Sequence, residues 1–383
     1  MKTFRCTCGN TLYFGNSQCL SCGRLLGFLP DLHLLSSLEP EDDGLYVALA
    51  SAARDARYRT CLNYIEYNVC NWMIPYNSND VYCQSCRLNH IIPDLSNSKN
   101  RVYWYRIETA KRWLIYSLLE LGLPIVDRNA DPERGLSFEF LADPSPNTEF
   151  SDRLGEHRRV MTGHKAGTIT INIAEADSSA REQIREQMNE GYRTLLGHFR
   201  HEIGHYYWAR LVEPTHWLSA ARELFGDERT DYAEALERYY NIGPIPDWSS
   251  RHISAYASSH PWEDWAETWA HYLHIVDTLE TAHDVGFTVG GRHVVTPKEI
   301  GFDNNASQLA NNPFFRRSTF DVLLSDWIDL TIAMNALNRS MGLPDAYPFT
   351  FSDNVAEKLR FIHEVIRESA TPTGRFNTAQ RLS

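Results

Sequence analysis

Residues Arg193–Leu211 read RTLLGHFRHEIGHYYWARL and place three histidines and one glutamate within the eight residues from His198 to His205. Apolar positions recur at helical spacing, so the stretch is expected to be a helix with one ionisable face. A solvated stripe would account for that face, and so would a metal site with its own general base. His201 and His205 are four apart, which puts their β-carbons about 5–6 Å from each other on one side of a helix. Both imidazoles can then meet one zinc ion, while Glu202, next round the helix, can reach a water on the ion rather than the ion itself. This is the H-E-x-x-H arrangement. Water on such an ion has a pKa of about 7. Glu202 takes its proton as the water attacks a carbonyl, then passes it to the leaving amine. His198, one turn before His201, is read as structural.

A catalytic zinc needs a third protein ligand and an open position. Six residues after His205, where a further histidine would serve, stands Leu211. Downstream, ISAYASSHPWEDWAETWAHYLH (Ile253–His274) carries Glu263 and Glu267 at i and i+4 of an expected helix. One can bind zinc while the other accepts a hydrogen bond from a ligand histidine and fixes its tautomer. Trp262, Trp265 and Trp269 make the segment poorly suited to full exposure, and a buried carboxylate needs a partner.

All eight cysteines fall within the first 86 residues. Cys6, Cys8, Cys19 and Cys22 form one cluster, with a knuckle in CLSCG where Gly23 relieves the bend. Cys61, Cys70, Cys83 and Cys86 form another, with a knuckle in CQSC. Tetrahedral zinc takes four such ligands, so the simplest assignment is two closed structural sites, one per cluster. A cross-braced pairing stays open. Such sites hold a small fold together and suit docking of a protein partner rather than chemistry.

With 383 residues, 43% of them apolar, the chain has room for one large domain and a small one. Its net charge of −12 argues against broad nucleic-acid binding, which needs a basic surface. No apolar run approaches the roughly 18 residues of a membrane span, and MKTFRCTCGN lacks the apolar stretch of a secretory signal. The expectation is a cytoplasmic protein whose thiols are reduced and available to metal.

The loop-like PDLSNSKN, Pro93–Asn100, marks a boundary between a zinc-binding domain at 1–95 and a second domain at 100–375. An acidic linker, EPEDDG at Glu39–Gly44, separates the two cysteine clusters. GLSFEFL and GTITINI alternate as strands. YWYRIETAKRWLIYSLLELGLP reads as a helix, as do WEDWAETWAHYLHIVDTLETA, DVLLSDWIDLTIAMNALNRS and NVAEKLRFIHEVIRES. A long helix, or two joined near Gly191, runs from an N-cap at Ser178 or Ser179 into the HEIGH segment. The fold class expected is α+β: a small cysteine-rich domain, then a mostly helical domain with a small antiparallel sheet.

FRCTCGNTLYFGNSQCLSCG, SCRLNHIIPDL, ITINIAEAD, YRTLLGHFRHEIGHYYW, LFGDERTDYAEAL and HPWEDWAETWAHYLH together resemble the bacterial zinc-binding metallopeptidases that carry an N-terminal zinc-ribbon domain. The likeness spans nearly the whole chain. CTC at Cys6–Cys8 departs from it, since the family more often has two residues between these cysteines. The second domain also resembles the gluzincins, whose downstream helix often reads E-x-x-A-E. That resemblance implies a zincin-like peptidase domain with one catalytic zinc beside two structural ones. It makes Glu263 the third ligand and Glu267 the partner behind it. Tyr256, seven residues before Glu263, becomes an oxyanion stabiliser worth about 2–4 kcal/mol. It also implies that TITINI is an edge strand pairing with the backbone of a peptide or protein substrate. Two other readings remain: a non-enzymatic module whose ribbons bind protein or nucleic acid beside a helical scaffold, and a latent peptidase.

Overall fold

The first hundred positions are built largely from short strands joined by tight turns. The computed structural model describes residues 2–143, 160–179, 181, 194–289, 291–294 and 319–370. They fall into two units, one made of Lys2–Tyr116 and Val126–Tyr206, the other of Ser117–Ile125 and Tyr207–Ser383.

In the first unit, β1 (Thr3–Arg5) and β2 (Thr11–Tyr13) form a hairpin. Strands β3 (Leu26–Leu29), β4 (Leu34–Pro40), β5 (Leu45–Ala48), β6 (Arg57–Thr60) and β7 (Met73–Pro75) follow as an antiparallel sheet in chain order. EPEDDG is therefore not a linker. Glu39 and Pro40 pair with Val47 and Tyr46 across a hairpin, and Asp43 and Gly44 reverse the chain at φ of 60° and 72°.

The first and last strands of this sheet meet. Phe28 N donates to Asn71 O at 2.8 Å, and Phe28 bridges Trp72. Gly27 permits the approach: a β-carbon there would stand 2.3 Å from Met73 Cγ. The Phe28 ring packs on Phe14, Trp72 and Tyr116 at centroid distances of 4.9, 4.7 and 5.9 Å.

A second sheet has the order β10 (Gly163–Lys165), β11 (Thr168–Asn172), β9 (Ser137–Leu141), β8 (Asn89–Ile91). It is mixed rather than antiparallel, since β9 runs parallel to both β8 and β11. TITINI is an inner strand. Ala166 and Gly167, at φ of 46° and 84°, fold β10 back along it, so the edge is β10. Helix α1 (Ser98–Glu120) buries Lys111 in this unit. Its ammonium lies 3.0 Å from Glu108 Oε2 and 5.6 Å from the Phe138 ring, while Asn89 Nδ2 donates to Glu108 Oε1 at 2.6 Å. A buried charge is tolerable only when so paired.

Helix α2 (Leu195–Tyr207) carries the HEIGH segment and starts at Thr194, whose Oγ1 accepts from Gly197 N at 2.9 Å. Residues 182–193, over which the sequence reading ran this helix, lie outside the described residues. The helical turn at Ser178 and Ser179 is capped by Asp177 instead of by a serine: its Oδ1 accepts from Ser179 N at 2.9 Å.

The second unit holds α3 (Trp217–Phe225), α4 (Tyr232–Ile242), α5 (Pro261–Asp284), α6 (Thr319–Ser340) and α7 (Asp353–Ser369). A π-helical turn at Trp208–Val212 precedes them. Helix α5 is apolar nearly all round and packs against α3, α6 and α7, as a helix of that pattern must. Its Trp265 meets Trp208, Phe225 and Phe361 at 5.4, 5.6 and 6.3 Å. Asp264 ties the start of α5 to α7 through Lys358 Nζ at 2.5 Å. Among the described residues no helix is long and apolar enough to cross a membrane.

His363 in α7 gives this unit a pH dependence. Burial, then the charges of Arg367 and Arg360, hold the ring down to about 3, and its Nδ1 meets Tyr272 Oη at 2.8 Å. Between that value and the usual 6.5 the unfolded chain binds a proton that the native state refuses. The stabilisation is therefore complete above pH 6.5 and is lost as pH falls toward 3. From pH 7.5 to 5 the wild type should lose about 2 kcal/mol more than His363→Gln in urea unfolding. Equal losses would show that another group sets the dependence.

Candidate metal centres

Cys6 and Cys8 follow β1, and Cys19 and Cys22 sit in the turn before β3. One sulfur from each lies within 4.8 Å of the others, with Cys6 Sγ–Cys22 Sγ at 3.6 Å and Cys8 Sγ–Cys19 Sγ at 3.7 Å. Ligands at the zinc–sulfur distance of about 2.3 Å stand about 3.8 Å apart on a tetrahedron, whereas a disulfide needs about 2.0 Å. All eight thiols are free. Gly9 and Gly23 adopt φ of 87° and 73° in the two turns that present the sulfurs. Backbone N–H groups of Cys22 and Ser21 draw the Cys19 thiol down to about 6. The tight C-x-C bite thus converges on a common centre.

The second cluster is wholly buried. Cys61 follows β6, Cys70 precedes β7, and Cys83 and Cys86 follow it. The four sulfurs lie within 4.8 Å of one another, with Cys70 Sγ–Cys83 Sγ at 3.7 Å. Trp72 N, Cys83 N and Cys86 N donate to Cys70, Cys61 and Cys83 sulfurs at 3.3, 3.3 and 3.4 Å. Such donors stabilise thiolates, while burial pushes the Cys83 thiol up. The structure groups the cysteines by sequence cluster and not across them.

On α2, His205 Nε2 and His201 Nε2 face each other at 3.2 Å. Two nitrogens on a zinc tetrahedron, each at about 2.0–2.1 Å, stand about 3.3 Å apart, so this pair fits the ion. Glu202, between them in sequence, is buried. His164 from β10 stacks on His205 at 6.4 Å, its Nε2 accepting from Gly167 N at 3.1 Å. Burial takes His164 down to about 4, so it stands neutral beside the pair. Glu175 reaches His198 Nδ1 and Thr162 Oγ1.

In the second unit, Glu263 occupies the first turn of α5, where the helix dipole favours a carboxylate. Pro261 opens that helix, and His260 Nδ1 caps it by accepting from Trp262 N at 3.1 Å. Glu263 Oε1 accepts from Tyr232 Oη at 2.8 Å. Tyr256 also bears on Glu263, and burial followed by that negative charge raises its phenol well above the ordinary range. Glu267 accepts from Ser254 Oγ at 2.7 Å.

Sequence reasoning missed Tyr232, His164, Glu175 and Thr162. None lies at a fixed spacing from the ligands. Tyr232 and Glu175 do fall in LFGDERTDYAEAL and ITINIAEAD, blocks that carried the family likeness without a role for either residue.

Residues 100–365 match the family described as "putative zinc-binding metallo-peptidase", and residues 3–97 match a zinc-ribbon domain. Uncharacterized proteins of Mycobacterium bovis and Mycobacterium tuberculosis are 42% identical to the chain over 372 residues, covering 97% of it and 96% of each relative. No solved structure gives a significant match.

Proposed function

Because the chain belongs to the zinc-binding metallo-peptidase family, we propose that it hydrolyses peptide bonds at a single zinc held by His201, His205 and Glu263. The observation that carries the reading is the 3.2 Å approach of two histidine Nε2 atoms on one helix face, with the buried Glu202 beside them. Zinc bound there would supply Lewis-acid chemistry, polarising a carbonyl and acidifying water.

The chain does the rest. Glu202 accepts a proton from the attacking water and returns it to the leaving nitrogen. Tyr232 and Tyr256 hold the Glu263 carboxylate in place, and Ser254 holds Glu267. For Tyr256 to stabilise an oxyanion, its hydroxyl must turn from Glu263 to the substrate. Backbone pairing of an extended substrate falls to β10, the exposed edge, rather than to TITINI. The two cysteine clusters are proposed as structural zinc sites, which brings the count to three ions per chain. The ribbon is further proposed as a docking face for a protein partner.

Metal counting tests the proposal. Wild type should carry three zinc ions by mass spectrometry, and His201→Ala should carry two while keeping its circular dichroism. Two ions in the wild type, or unfolding on loss of the third, would favour a scaffold over an enzyme.

A further inference from the structure

Glu175 and His198 form a pair that this chemistry leaves unused. Strand β11 passes through Asn172 into a 3-10 turn, Ile173–Ala176, with Asn172 Oδ1 accepting from Ala174 N at 3.0 Å. The turn carries Glu175 inward, where one carboxylate oxygen accepts from Thr162 Oγ1 and the other engages His198 Nδ1. Arg181 Nη1 donates to the Glu175 carbonyl at 2.6 Å and braces the turn. A carboxylate at Nδ1 fixes the tautomer and orientation of an imidazole.

Nε2 of His198 has no hydrogen-bond partner among the described residues, and the side chain keeps 18% of its surface exposed. His198 lies four residues before Glu202 and seven before His205 on α2, so all three share one strip, about 6 and 10 Å from His198 along the axis. Tyr256, the other candidate donor to substrate, bears on Glu263.

Resting on the peptidase reading above, we propose that His198 is a substrate-facing catalytic residue whose Nε2–H donates a hydrogen bond to the scissile carbonyl oxygen as charge builds there. Glu175 is its positioning residue, acting only through the ring. A preorganised N–H aimed at an oxyanion needs no reorientation as the charge develops. It gains most in the transition state, so its loss should fall on kcat more than on KM.

The test uses the full-length zinc-loaded protein with two probes. One is a peptide cleaved by the wild type, chosen from a proteome-derived mixture by mass spectrometry. The other is a phosphonamidate tripeptide, whose tetrahedral anionic oxygens stand in for the charged species. His198→Ala should lower kcat about 100-fold with KM within about threefold, as expected for loss of one preorganised donor. It should weaken phosphonamidate binding by calorimetry to a similar degree, with zinc content unchanged. His198→Gln keeps an N–H donor and should recover about tenfold of the loss, and Glu175→Gln should fall between them. A wild type that cleaves and binds while both His198 variants match it overturns the role alone. A wild type that does neither overturns the peptidase reading, and this role with it.

Discussion

Cys83→Ser is expected to release one zinc ion per chain and to unfold the sheet that its cluster closes. Cys83 is fully buried, its sulfur lies 3.7 Å from Cys70, and the chain enters and leaves β7 through this cluster. With zinc absent, four buried thiols are small apolar groups with little to hold three segments of chain together. With zinc present, each ligand is charged and paired, and the Cys61, Cys70 and Cys83 sulfurs accept from backbone N–H groups. Structural zinc contributes about 10–16 kcal/mol in small peptides, comparable to the whole stability of an ordinary domain. Loss of one ligand should therefore cost on the order of 5 kcal/mol or more, which suffices to melt the unit. Mass spectrometry and far-ultraviolet circular dichroism read both parts. A serine variant that keeps its full zinc complement and its melting temperature would remove this cluster from the list of metal sites. Cys8→Ser, at an exposed corner of the other cluster, should do less harm.

The second large effect is chemical. Glu202→Gln should keep all three zinc ions and the fold yet lower peptide hydrolysis by about 10²–10⁴-fold. Glutamine has the size and the hydrogen-bonding oxygen of glutamate but cannot accept the proton that the attacking water must lose. Glu202 is buried beside the histidine pair, so bulk solvent is a poor substitute. Turnover of a cleaved peptide by the wild type and the variant, with zinc measured on the same samples, separates loss of the base from loss of the metal. Unchanged turnover would sink the role assigned to this carboxylate.

The sequence showed most where spacing alone forces proximity. His201 and His205 share a face because a helix turns every 3.6 residues, and the cysteine knuckles read out as pairs for the same local reason. The α+β class and the helices of the C-terminal half follow from periodicity. Glu263 and Glu267 could be read only as a carboxylate pair on a tryptophan-rich helix, and likeness alone chose between them, because no local rule spans the 57 residues between His205 and Glu263. The sheet around TITINI was misread because alternation shows which face of a strand is buried, not how many neighbours it has. The tight Ala166–Gly167 turn that supplies the outer neighbour is short enough to pass as a loop. EPEDDG looked like a linker because its acidity masks a reversal made by two left-handed residues. Glu175 and His198, 23 residues apart, were beyond any pattern.

The five-stranded sheet closes on itself where Phe28 meets Trp72, at the one position where Gly27 lets the backbones touch. A flat sheet of this size would offer unpaired amides at both margins to any passing extended chain. Joined end to end, it withholds them. This sheet thus meets extended chains without recruiting them at its margins.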